Sequence, residues 1–272
     1  GDLCVDGALG SRTAALREPY ADADTRGLLH LDPATIARHV VACARRGVQP
    51  GFHVIGDAAV DAVVAGLLGA EQELGTAALA AAGVRLEHLC AVDEPAVAVL
   101  ARLGVSASVQ PAFDATWGGQ RGTYAQRLGW ERARRLHPFA ALAAAGVPLA
   151  LGSDAPVTPL APWEAVRAAA FHHVGAWRTS VRAAFLAHTR GGHRAARRDS
   201  REPGVLVPGA PASYAVWEAG ELLVQAPDGR LAAWSTDARS GTPGLPDLSP
   251  GVPAPRCLRT ALRGTVLHDV LG

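Results

Sequence analysis

No lysine occurs anywhere in these 272 residues, so all 26 cationic side chains are arginine and chemistry carried by a lysine ammonium or its carbamate is excluded. Methionine is also absent, even at position 1, and we therefore expect a piece of a longer sequence. The four cysteines, Cys4, Cys43, Cys90 and Cys257, are far apart and form no CxxC pair. That excludes a disulfide framework or a structural zinc knot and leaves them as small hydrophobes or bystanders. HxH and HExxH motifs are missing as well. With a net charge of only +1 and both signs scattered, bulk electrostatics offers nothing to a nucleic acid or a membrane surface. Apolar runs are Ala-rich, interrupted and too short to span a bilayer, and the first thirty residues lack the layout of a signal peptide. The expectation is a soluble cytoplasmic protein acting on a small molecule, without nucleic-acid or membrane partners; a homo-oligomer stays open.

What is present is a large core. At 49% hydrophobic and 19% charged residues, the chain can bury a substantial interior. Short apolar segments starting near residues 3, 52, 84, 105 and 148 read as strands. Between them lie a helix opened by Asp32-Pro33 and closing before Gly47, helices at 58–68, 71–82 and 94–103, and an Ala-rich helix at 131–145. Residues 17–31 read as a polar surface excursion and the stretch bearing Phe113, Trp117, Tyr124 and Arg127 as a loop. Strand and helix alternate throughout, the signature of a parallel sheet with crossover helices, an α/β fold. Two or three helices follow Pro162 to about Ala196. From about residue 204 Gly and Pro thicken and short apolar runs (214–217, 222–224, 231–234, 265–267) suggest a small β module, dividing the chain into 1–203 and 204–272.

The stretch Val147 to Val157 ends an apolar strand at Gly152-Ser153 and presents Asp154 at the turn before Ala155-Pro156. A carboxylate at the carboxyl end of a buried parallel strand is where α/β barrels place their chemistry; the plainer alternative is an Asp capping a helix that begins at Pro156. His53 and His88 each sit on, or at the end of, a short apolar strand. One such histidine is most simply a hydrogen-bonded structural residue. Two, with Asp154, would converge three ligands of the kind zinc takes, with a position left for water, and a carboxylate could accept that water's proton. The period of two on strand 84–89 puts Leu86 and His88 on one face and Arg85 and Glu87 on the other, so Glu87 reads as an ion-pair partner of Arg85 rather than a ligand. The other histidines share no spacing, although His172-His173 could reach the same mouth.

The words DGALGSRTAAL, HVIGDAAV, RLEHL, SVQPAF and LGSDAPV, in this order, resemble the YtcJ-like branch of the metal-dependent amidohydrolase superfamily, the group labelled amidohydrolase 3. The resemblance runs from Asp6 to about Gly209 and includes PGAPASYAVWE, similar to the family's return into its β-sandwich. It implies a (β/α)8 TIM barrel with a composite β-sandwich, a divalent metal at the barrel mouth, zinc being the leading candidate, and hydrolysis of amide-type carbon–nitrogen bonds through a metal-activated water. By motif, His53 corresponds to the metal-binding histidine of the fifth strand, His88 to that of the sixth, and Asp154 to the eighth-strand ligand and general base. The five strands would then be barrel strands four to eight, a partial barrel followed by part of the sandwich. Asp2 stands where many relatives carry a lysine whose carbamate bridges two metals. Either Asp2 is a further metal ligand or the site is mononuclear, and we favour the latter. Arg12 and Gln110, on strand-end loops at the mouth, could bind a polar group of the substrate or simply brace the loops. A barrel lacking three strands leaves open edges, so the isolated polypeptide is expected to be unstable or inactive. The competing function is a catalytically inactive scaffold that binds a small molecule or partner; a phosphate-binding barrel lacks the Gly-rich anion loop it would need.

Overall fold

The structure is a computed structural model that describes residues 2–197, 204–223 and 244–272, with only the backbone described for Asp2. Five short strands, β1 (Asp2–Cys4), β2 (Gly51–Val54), β3 (Arg85–His88), β4 (Ser106–Val109) and β5 (Leu149–Leu151), form one parallel sheet in the order β1-β2-β3-β4-β5. Each strand adds beside its predecessor, and all five carboxyl ends fall on one rim.

Helices connect the strands and cover one face of the sheet. α1 (Pro33–Arg45) starts where the sequence says it should: the Asp32 carboxylate accepts the Thr35 backbone N–H at 2.6 Å and Pro33 occupies the first turn. Ile36, Val40 and Val41 face the core. α2 runs unbroken over Asp57–Leu74, past the expected end at residue 68, until Gly75 at φ 79° breaks it from α3 (Thr76–Ala82). α4 (Glu94–Arg102) is capped by Asp93. Phe52, Leu86, Leu100, Leu103 and Leu67 lie fully buried between this layer and the sheet.

Two expectations fail between β4 and β5. The aromatic-bearing loop contains α5 (Pro111–Trp117) and α6 (Thr123–Leu128). The single helix at 131–145 is instead α7 (Trp130–Ala133) and α8 (Phe139–Ala144), separated at Pro138, which lacks a backbone donor, and at His137, which takes a left-handed φ of 54°. After β5 come α9 (Pro162–Ala170), α10 (Val181–Leu186) and α11 (Gly192–Ala195). No helix begins at Pro156, so Asp154 is no helix cap. The excursion before α1 is pinned rather than loose: Tyr20 is buried and its hydroxyl donates to Ala14 O, while Arg17 reaches Asp61 and Asp93 and its backbone N–H donates to Asp57.

Beyond residue 204 the described residues form an antiparallel sheet of β6 (Tyr214–Glu218), β9 (Arg256–Leu262) and β10 (Thr265–Asp269), and a two-stranded ribbon of β7 (Leu222–Leu223) and β8 (Leu245–Pro246). The expected strand at 231–234 lies outside the described residues. β9 is not among the strands expected from the sequence; its three polar residues among four apolar ones mask it. Among the described residues no helix is long and apolar enough to cross a membrane.

Candidate functional site

The site grows from the carboxyl ends of β1 to β4. Asp6, just past β1, is 1% exposed, and its carboxylate accepts backbone N–H groups from Ala15 at 2.9 Å, Ile55 at 3.0 Å and Gly56 at 2.8 Å. Burial raises its pKa, opposed by the three N–H bonds and by His53. The clamp holds the loop after β1 against the turn after β2. Contact is so close that a Cβ at Gly56 would lie 1.9 Å from Ala15 O, which leaves glycine the only residue that fits.

His53 sits on β2 opposite Cys4. Its Nε2 lies 3.0 Å from Gly7 O, the acceptor, and 3.8 Å from Asp6 Oδ1. His88 closes β3. A regular pleat would keep it on the face of Leu86, which is buried against the helices, but φ 73° at His88 and 42° at Leu89 break the alternation. The imidazole instead meets His53 edge to face, ring centroids 4.6 Å apart at 71°, and stacks on Phe113 at 5.7 Å and 13°. Arg85 and Glu87 form the expected ion pair. His88 Nδ1 lies 2.8 Å from Gln110 Oε1. Burial, then the neighbouring His53, pushes the His88 imidazole below its ordinary pKa, against smaller upward pulls from Gln110, Asp154 and Glu87. Each ring therefore has one nitrogen engaged with an oxygen acceptor and the other without a hydrogen-bond partner among the described residues. A ring with one nitrogen held and the other open is the arrangement in which histidine ligates a metal.

Asp154 lies in the turn after β5, on the same rim, exposed and at a left-handed φ of 55°. Its charge acts on His88, yet among the described residues no three His, Cys, Asp or Glu side chains form a group that could hold a metal ion. The fold thus brings His53 and His88 together and leaves Asp154 on their rim without joining them. Asp2 pairs with Gly51, two residues before the His53 level and so about 6.6 Å farther from the rim. Arg12 is bound by Asp22, with Nε at 3.0 Å and Nη2 at 2.9 Å, and Asp22 is shared with Arg127. Gln110 is 4% exposed and its amide is engaged at both ends, by His88 and by Ser108 O at 3.3 Å. Non-glycine residues at positive φ gather here, Arg12, His88, Leu89 and Asp154 among them; strain held at clustered loop positions is characteristic of functional sites.

A second polar cluster lies behind Phe113. The buried Asp114 accepts both the backbone N–H and the Nδ1–H of His173, each at 3.0 Å, and His172 Nε2 stands 3.3 Å from its other oxygen. The adjacent histidines are visible in the sequence. Asp114 carries no signal there, because the helix that buries it reads as loop.

A family model described as the amidohydrolase family matches residues 1–266. The chain belongs to that family. YtcJ of Bacillus subtilis (strain 168) is 31% identical to it over 171 residues, 61% of this chain and 30% of that protein. LONG AFTER FAR-RED 3 of Arabidopsis thaliana is 30% identical over 230 residues, 78% of this chain and 37% of that protein. This amidohydrolase-family chain thus spans about a third of the length of these two curated relatives. Its fold is similar to an uncharacterized metal-dependent hydrolase from Pyrococcus furiosus, with a TM-score of 0.61 and 30% identity over 71% of this chain and 39% of that one. It is also similar to the zinc complex of the atrazine chlorohydrolase TrzN from Arthrobacter aurescens TC1, with a TM-score of 0.58 and 19% identity over 94% of this chain and 53% of that one. The α/β fold, with its parallel sheet, is of the amidohydrolase TIM-barrel type.

Proposed function

We propose that this chain is part of a metal-dependent hydrolase that cleaves carbon–nitrogen bonds, other than peptide bonds, in a small-molecule substrate. The supporting observation is the meeting of His53 and His88, from separate strands, at 4.6 Å with one nitrogen of each ring held from behind. The family membership and the Pyrococcus furiosus neighbour, whose description is metal-dependent hydrolase, point the same way. On this reading β1 to β5 are barrel strands four to eight, and the sheet of β6, β9 and β10 belongs to a composite sandwich with residues 204–272.

The two histidines are donors that suit a divalent ion. Neutral imidazole nitrogen and carboxylate oxygen are zinc ligands, and the two histidines already have their second nitrogens engaged. His53 and His88 would hold it, with Asp154 on the same rim as the candidate third ligand; the setback of Asp2 and the lack of lysine support a single ion. When bound, such an ion acts as a Lewis acid that lowers the pKa of water toward about 7. Asp154, exposed on the rim, accepts the proton of the attacking water and returns it to the leaving nitrogen. Burial keeps His88 neutral, and the Asp6 clamp fixes the loop from which Gly7 holds His53. A scaffold without turnover is the second reading, favoured by the absence of a three-ligand group among the described residues.

Metal analysis of the intact protein decides between them. The hydrolase reading expects a stoichiometric divalent ion that is lost in His53→Ala and in His88→Ala. Equal metal content in all three proteins would sink it.

A further inference from the structure

We propose that Gln110 is a positioning residue that fixes the proton of His88 on Nδ1 and so leaves Nε2 unprotonated; the role in metal binding rests on the function proposed above. The carboxamide is buried, at 4% exposure, and has two faces that must find different partners. One face lies 3.3 Å from Ser108 O. A carbonyl only accepts, so the group facing Ser108 is the amide NH2. The other face, 2.8 Å from His88 Nδ1, is then Oε1, which also only accepts. His88 must therefore carry its proton on Nδ1, and Nε2 keeps its lone pair.

The backbone explains why this residue does it. Gln110 follows the last residue of β4 in extended conformation, φ −120° and ψ 91°, and Pro111 begins α5 immediately after. Strand end and helix start thus fix the backbone that carries the amide on both sides. Phe113, in the first turn of α5, stacks flat on His88, so the same helix that follows Gln110 fixes the ring plane. Glutamine here has both amide faces committed, which fits positioning of His88 better than capture of a substrate. A ring nitrogen freed by the hydrogen bond of its opposite nitrogen is the usual device for presenting histidine to a metal, and removing such a partner costs about 10- to 100-fold in metal affinity.

The test uses the intact protein labelled with 15N-histidine, and Gln110→Leu and Gln110→Glu variants. Long-range proton–nitrogen spectra above pH 8 give the tautomer of each ring, and His88 is assigned by its loss in His88→Gln. The unsubstituted protein is expected to show His88 as the Nδ1–H tautomer. Gln110→Leu should shift it toward Nε2–H, and Gln110→Glu, which keeps an acceptor, should restore Nδ1–H. Titration with zinc alone should follow the tautomer, with affinity reduced about 10- to 100-fold in the leucine variant and recovered in the glutamate variant. His88 on Nε2–H in the unsubstituted protein, or on Nδ1–H in the leucine variant with its other histidine signals unmoved, overturns the proposal. Absence of zinc binding in the unsubstituted protein would overturn the metal reading instead, while the tautomer comparison still decides the role of Gln110.

Discussion

Lowering the pH should destabilise this protein through one residue in particular, His137. Its side chain is 1% exposed, neither ring nitrogen has a hydrogen-bond partner among the described residues, and Phe113, Tyr124 and Phe139 surround it at centroid distances of 6.5, 5.6 and 5.8 Å. Burial drives its pKa down from 6.5 to about 3. The folded value lies below the unfolded one, so as pH falls the unfolded chain takes up the proton first. The stability contributed by the neutral ring is complete above about pH 6.5 and is lost as pH falls toward about 3. At pH 4 the ring is still neutral when folded and lies about 2.5 pH units below its unfolded midpoint. At about 1.4 kcal/mol per unit this amounts to roughly 3 kcal/mol lost relative to pH 7. His137→Phe keeps an aromatic ring at the same backbone position and removes both unpartnered nitrogens. At pH 7 it should lie within about 1 kcal/mol of the unsubstituted protein or above it, since unpaired buried polar atoms cost about 1–3 kcal/mol each. Urea unfolding at pH 7 and pH 4, with unchanged m-values, measures both quantities. Parallel acid limbs in the two proteins would refute the assignment of this pH dependence to His137.

Three further outcomes follow from the same structure. Asp6→Ala strands three buried N–H groups and should cost about 3–6 kcal/mol, whereas Asp6→Asn keeps acceptors for two of them and should cost about 1–3 kcal/mol; equal midpoints in urea for both variants would show that the clamp is unimportant. Asp22, hydrogen-bonded first to Arg12 and then to Arg127, has its pKa lowered to about 2, so it stabilises the fold above pH 4 and that contribution disappears as pH falls toward 2. In Asp22→Asn the fall in melting temperature between pH 4 and pH 2 should be shallower, and an unchanged slope would argue against the pair. Phe52→Ala empties a fully buried position between the sheet and its helices and should cost about 3–5 kcal/mol, read as a shift in urea midpoint; a loss below about 1 kcal/mol would place Phe52 outside the core that defines this layer.

The legibility of this chain divides along physical lines. The five parallel strands, the Asp32-Pro33 helix start and the two strand-end histidines rest on local rules: apolar period, capping and the ban on proline inside a strand. Those rules act over a few residues and are written in the sequence. Where long-range packing dominates, the same rules mislead. α5 and α6 read as loop because their stability comes from burying Phe113 and Tyr124 against the mouth. β9 carries two arginines and a threonine and shows itself only through its partners β6 and β10.

By itself the sequence determined the alternation of strand and helix, the exclusion of any lysine-derived bridge, and which two imidazoles stand at the ends of strands, because each of these follows from residue type and short spacing. Only the tertiary structure decided that His88 turns off its own strand face to meet His53, that Gln110 and Arg12 are already engaged by neighbours, and that Asp154 shares the rim without closing on the histidines. Side-chain direction at a strand end depends on one or two backbone torsions, and those are set by what packs against the turn.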